Sequence, residues 1–163
     1  MGTIISHNKL KEIRNRLRNK KIVLCGGSFD LPHLGHALHL LYCKKLGDIL
    51  VVIIKPDKDV KRIKGNQRPI LGQDIRLKTI SLFKPVDYCF LGKEFQENEH
   101  SMSTLPEVLK ELSPDIYVVN RDSEDILPYI KEVTLKHKIQ LKIANRHHPL
   151  SSTKIIQKIK ELI

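Results

Sequence analysis

The run Gly26-Gly27-Ser28-Phe29-Asp30-Leu31-Pro32-His33-Leu34-Gly35-His36 limits the fold of this chain more than any other feature. It directly follows the apolar run Ile22-Val23-Leu24-Cys25 and directly precedes an apolar-periodic segment, so it reads as strand, glycine-rich turn, helix. Such a junction aims backbone N–H groups and the positive end of a helix dipole at one spot, which suits a phosphate. His33 and His36 fall on one face of the helix's first turn and add side-chain donors there. Gly26, Gly27, Ser28 and Phe29 are the candidate ligand-binding residues of the turn. A glycine pair also serves a plain tight turn, and Phe29 reads first as core. Asp30 caps the turn or orients a neighbouring group.

The remaining chain repeats the alternation. Apolar, β-branched runs at about Lys21–Cys25, Ile49–Ile54, Val86–Leu91, Ile116–Val119 and Leu141–Ala144 predict five strands. Leu10, Ile13 and Leu17 predict an amphipathic N-terminal helix. Further helices are expected after the glycine turn, at about Gln73–Phe83, Leu105–Leu112 and Ser123–Lys136, and from Ser151 onward. The stretch from Lys58 to Arg68 reads as a basic loop. Strands alternating with helices predict an α/β fold: a Rossmann-like open parallel five-stranded sheet with helices on both faces, in a single domain over 1–163. Ligands of such sheets bind at the carboxyl ends of the strands, beside the topological switch point.

The net charge of +11 over 163 residues calls for a polyanionic partner, either nucleic acid or a nucleoside triphosphate with a phosphorylated co-substrate. Aromatics at 5%, no Trp and no nucleic-acid-binding motif argue against a nucleic-acid-binding protein. No apolar run reaches the roughly 18 residues of a membrane span. Met1–Lys20 lacks the apolar core of a secretory signal, so a cytoplasmic protein is expected. Cys25, Cys43 and Cys89 lie in apolar contexts and read as buried reduced thiols. His39 extends the histidine series, but no carboxylate or cysteine is joined to the three, and no protein-bound metal is expected.

The spacing Gly-x-Phe-Asp-x-x-His-x-Gly-His resembles the signature of the HxGH nucleotidylyltransferase superfamily, which includes cytidylyltransferases and heptose-phosphate adenylyltransferases. The run from Pro56 to Pro69, closed by Arg76, resembles the heptose-phosphate adenylyltransferase domain without a gap. That resemblance implies that Lys61 and Lys64 face the phosphates and that Arg76 anchors the nucleotide side. Ser151-Ser152-Thr153-Lys154-Ile155-Ile156 resembles the family's closing Ser-Thr-Thr-x-Ile motif, with Ser152 where Thr is usual. Hydroxyls and N–H groups at a helix start form a second anion site there, besides an ordinary N-cap. Arg146 matches an Arg that precedes this motif in glycerol-3-phosphate cytidylyltransferases. Asn120-Arg121-Asp122-Ser123 departs from the family pattern in the loop that surrounds base and acceptor, so substrate identity does not carry over.

The resemblance implies transfer of a nucleoside monophosphate from an NTP, with ATP favoured, to a sugar- or polyol-phosphate, releasing pyrophosphate. His33, His36, Lys61 and Lys64 would be catalytic. Arg76, Asn120, Arg121, Asp122, Arg146, Ser151, Ser152 and Thr153 would bind substrate with the glycine turn. Mg²⁺ would be held mainly by the triphosphate. The alternatives are a CTP-dependent glycerol-3-phosphate-type cytidylyltransferase and an FMN adenylyltransferase. The resemblance also implies a homodimer.

Overall fold

The computed structural model describes residues 1–96, 99, 101–145 and 147–162, with only the backbone of 122–124. Its first element is a two-residue strand, β1 (Thr3–Ile4), followed by α1 (Leu10–Arg16), β2 (Ile22–Gly27), α2 (Leu34–Lys44) and β3 (Ile49–Ile54). Next come α3 (Asp57–Lys64), α4 (Gln73–Ser81), β4 (Tyr88–Leu91), α5 (Leu105–Leu112) and β5 (Ile116–Asn120). A 3₁₀ segment, Arg121–Ile126, leads into α6 (Leu127–Lys136), β6 (Gln140–Ala144) and α7 (Ser152–Lys160). The sheet order is β1-β4-β3-β2-β5-β6, and every pairing is parallel.

Alternation along each strand divides the core into two layers. Ile22 and Leu24 of β2 pack with Leu10 and Ile13 of α1, with α5 and with Ile130 of α6. Val23 and Cys25 point the other way, toward Leu40 and Cys43 of α2 and Ile80 of α4. Helices therefore cover both faces, as the uninterrupted apolar strands predict. β2 is flanked by β3 on one side and β5 on the other, so the chain changes direction across the sheet at β2. The switch point falls where the glycine turn leaves β2.

Two expectations change. The sheet has six strands, because Thr3 and Ile4 pair with Tyr88 and Cys89 at the β4 edge. Two residues carry too little periodicity to be read as a strand. The expected basic loop begins with a helix, α3. Asp57 and Asp59 sit in its first turn and Lys61, Arg62 and Lys64 in its last, an order that complements the helix dipole, while Val60 is buried. Among the described residues, no helix is long and apolar enough to cross a membrane.

Candidate active site

The end of β2 is shaped by sterics. Phe29 and Leu31 both take left-handed backbone conformations, φ 48° and 47°, rare for non-glycine residues and found where surrounding structure enforces them. Asp30, between them, is the enforcing group and is buried. Its carboxylate accepts from Ile70 N and Leu71 N at 3.0 Å and from Arg68 Nε at 2.7 Å. Burial alone would raise its pKa, but the N–H groups of Leu71 and Ile70 and the Arg68 guanidinium outweigh it, and the carboxyl titrates below its ordinary range. Its backbone carbonyl accepts from Ser152 Oγ. One residue thus joins the glycine turn, the segment before α4 and the start of α7.

The two histidines cap α2 reciprocally. His33 is the N-cap, and its Nδ1 accepts from Gly35 N at 3.0 Å; His36 Nδ1 accepts from His33 N at 3.3 Å. The rings stack, with centroids 3.9 Å apart and planes inclined by 33°. An imidazole that accepts through Nδ1 carries its proton on Nε2, so each neutral ring presents an Nε2–H donor. Burial, then the His33 ring and Lys64, push the His36 pKa down to about 3. His36 is therefore a neutral donor at physiological pH. A Cβ at Gly35 would lie 2.9 Å from the His33 ring, which is why glycine stands between the histidines.

These groups line a cavity of about 550 Å³ at the carboxyl ends of β2, β3 and β5. Of the residues expected there, Gly26, Gly27, Ser28, Phe29, His33, His36, Lys64, Asn120, Ser151, Ser152 and Thr153 line it. Burial and Arg68 pull Lys64 below the usual lysine range. The three hydroxyls of α7 divide the work: Ser151 Oγ accepts from Lys154 N at 3.2 Å, buried Ser152 holds Asp30, and Thr153 remains on the cavity side.

Arg76 lies elsewhere. It is fully buried; Nε donates to Leu71 O at 2.9 Å, one terminal nitrogen to Ser28 O, and the other to Lys55 O and Asp57 Oδ1 at 2.7 Å. It shapes the turn from behind. Lys61 and Arg121 are exposed and do not line the cavity. Arg146 and the side chain of Asp122 lie outside the described residues.

The structure also places groups at the site that sequence reading passed over. Lys55, directly after β3, and Asp59, in the first turn of α3, line the same cavity. Burial lowers the Lys55 pKa and raises that of Asp59. Lys55 was legible from its position, since a residue ending a parallel strand faces the ligand side. His39, Met102 and Tyr117 line the cavity as well. The hydrogen bonds of the buried Asp30 carboxylate had no local signal, because its partners lie 38 to 41 residues away.

Comparison with known proteins places this geometry. A family model described as cytidylyltransferase-like matches residues 24–158. The bifunctional protein HldE of Campylobacter jejuni is 34% identical over 143 residues, 88% of this chain and 28% of that protein. HldE of Desulfatibacillum aliphaticivorans is 34% identical over 162 residues, 93% of this chain and 30% of that protein. The chain thus spans less than a third of the curated relatives it matches. A lipopolysaccharide core biosynthesis protein from Thermoplasma volcanium superposes with a TM-score of 0.62 at 31% identity, covering 78% of this chain and 96% of that one. Pantoate-beta-alanine ligase from Francisella tularensis shares the fold, with a TM-score of 0.64 at 17% identity over 99% of this chain and 78% of that one. The chain belongs to the cytidylyltransferase-like family of nucleotidyltransferases.

Proposed function

We propose that the chain transfers a nucleoside monophosphate from an NTP, with ATP favoured, to the phosphate of a sugar- or polyol-phosphate, releasing pyrophosphate. The carrying observation is the reciprocal cap of His33 and His36, which fixes both imidazoles with Nδ1 turned to backbone. The preference for ATP and a sugar phosphate rests on the likeness of Pro56–Pro69 to heptose-phosphate adenylyltransferases and on the relatives named HldE.

In this reading an acceptor phosphate oxygen attacks the α-phosphorus while the bond to the β-phosphate bridging oxygen breaks. The nucleophile is already an anion, so no general base is required. Catalysis reduces to alignment and to stabilising charge on the α-phosphate and departing pyrophosphate. His36 donates from Nε2 without changing protonation, and Lys64 supplies a cation. The start of α7 offers N–H groups and the Thr153 hydroxyl to the other end of the triphosphate.

Among described cavity-lining residues the carboxylates are Asp59 and Asp125, and Asp59 already accepts from Phe95 N. That donor set suits a Mg²⁺ that arrives on the triphosphate and lowers its charge. Lys55, directly after β3, and Asn120, which ends β5 at the cavity, would meet the acceptor.

CTP-dependent transfer to a glycerol-3-phosphate-type acceptor is the second reading, favoured by Arg146 five residues before Ser151. Pyrophosphate release, measured with each of the four NTPs against a panel of phosphate monoesters, decides between them. Highest kcat/KM with ATP and a sugar phosphate supports the first reading; highest with CTP and glycerol 3-phosphate supports the second. No release with any pair removes both.

A further inference from the structure

Behind the glycine turn lies a second cluster that nucleotide transfer does not use. Cys25 is the β2 residue directly before Gly26, and His39 and Cys43 stand one turn apart on α2. The ligand atoms of these three residues all lie within 4.8 Å of one another. Both cysteines are fully buried, and His39 is 5% exposed. Cys43 Sγ lies 3.6 Å from His39 Nε2. His39 Nδ1 is buried without a hydrogen-bond partner, and so is His147 Nε2; the two rings are 5.8 Å apart between centroids. Both histidines line the cavity, so the cluster meets solvent on that side. Cys89, the third cysteine, packs apart from it, with Sγ near Leu77 O.

We propose that Cys25, His39 and Cys43 form a binding site for a thiophilic d¹⁰ divalent cation of the zinc class, with the remaining coordination position toward the cavity. Sulfur and imidazole donors suit such an ion and disfavour Mg²⁺ and Ca²⁺, which take oxygen. The charge balance also fits a buried place. Two thiols lose their protons to solvent as two metal–sulfur bonds form, and two thiolates with one divalent cation leave a neutral unit, whereas an uncompensated charge is costly to bury. His147, with its buried Nε2, is a candidate fourth donor.

The ion would fasten α2, which carries His33 and His36, to the strand that carries Gly26 and Gly27. This role is independent of which nucleotide or acceptor the enzyme uses. Its sequence signature is faint because only His39 and Cys43 share a local spacing; the fold supplies Cys25.

The test uses the full chain, reduced and stripped with a chelator, then titrated with Co²⁺ as a spectroscopic probe. Expected are about one equivalent bound with a sulfur-to-cobalt charge-transfer band, displacement by Zn²⁺, and release of about two protons per cation. Cys25→Ser and Cys43→Ser should each lose or strongly weaken the band. Cys89→Ser should keep it, and His39→Gln should weaken uptake by roughly tenfold or more. Bound cation should also raise the wild-type Tm. Should the serine variants fail to fold, Zn²⁺ protection of wild-type thiols from alkylation, mapped by mass spectrometry, reads the same site: Cys25 and Cys43 are protected and Cys89 is not. The proposal is overturned if folded wild-type protein gives no charge-transfer band, if the band survives in Cys25→Ser and Cys43→Ser, or if Zn²⁺ protects no cysteine.

Discussion

His36 shows how a single residue is prepared for its task. Removing its donor in His36→Ala should lower kcat by roughly 10²–10³-fold, the effect of deleting one preorganised oxyanion donor, with steady-state pyrophosphate release as the measurement. Loss of the cap adds a smaller cost in stability, of order 1 kcal/mol, seen in urea unfolding. The depressed pKa makes a separate prediction. The imidazole's ordinary value is 6.5 and its folded value about 3, so as pH falls the unfolded chain takes up the proton first. Its contribution to stability is whole above pH 6.5 and is lost progressively as pH falls toward about 3, by up to roughly 1.4 kcal/mol per pH unit. The urea midpoint of His36→Gln should depend less steeply on pH in that window than that of wild type. An equal dependence would show that His36 titrates normally, and a steeper one that folding raises its pKa.

At the scale of elements, the strands and most helices were legible because apolar runs and caps are local. β2 through β6, α5 and the start of α7 follow from such runs. The histidine pair was legible as well, since a helix start brings residues three apart together without tertiary help. Arg76 and Lys61 show what was not. Both are cations in the right stretch, and only the packing of α4 and the direction of α3 separate a buried pin from an exposed side chain and from Lys64 at the cavity. Lys64→Ala should therefore lower kcat/KM by roughly 10- to 100-fold, the worth of a hydrogen bond to a charged group, and Lys61→Ala by less. Arg76→Met should instead act on the fold. It leaves the carbonyls of Ser28, Lys55 and Leu71 without their donor and should cost about 3–5 kcal/mol in urea unfolding. Near-wild-type stability of Arg76→Met would return that residue to the binding surface.

For the whole molecule, a charge of +11 is a field as well as a set of contacts. Raising ionic strength from about 0.05 to 0.5 M should increase KM for the triphosphate more than it lowers kcat, because screening weakens capture before it weakens donors fixed at the reacting phosphate. A KM indifferent to salt would assign the charge to solubility alone. The meeting of Ser152 with Asp30 has a temporal consequence. Those residues are 122 positions apart, and Asp30 is also bound to a segment about 40 residues on. Contacts of such separation form late, after the intervening chain has closed. A ribosome would therefore release most of the sheet before the cavity was complete, and the site would assemble as one event, when α7 docks.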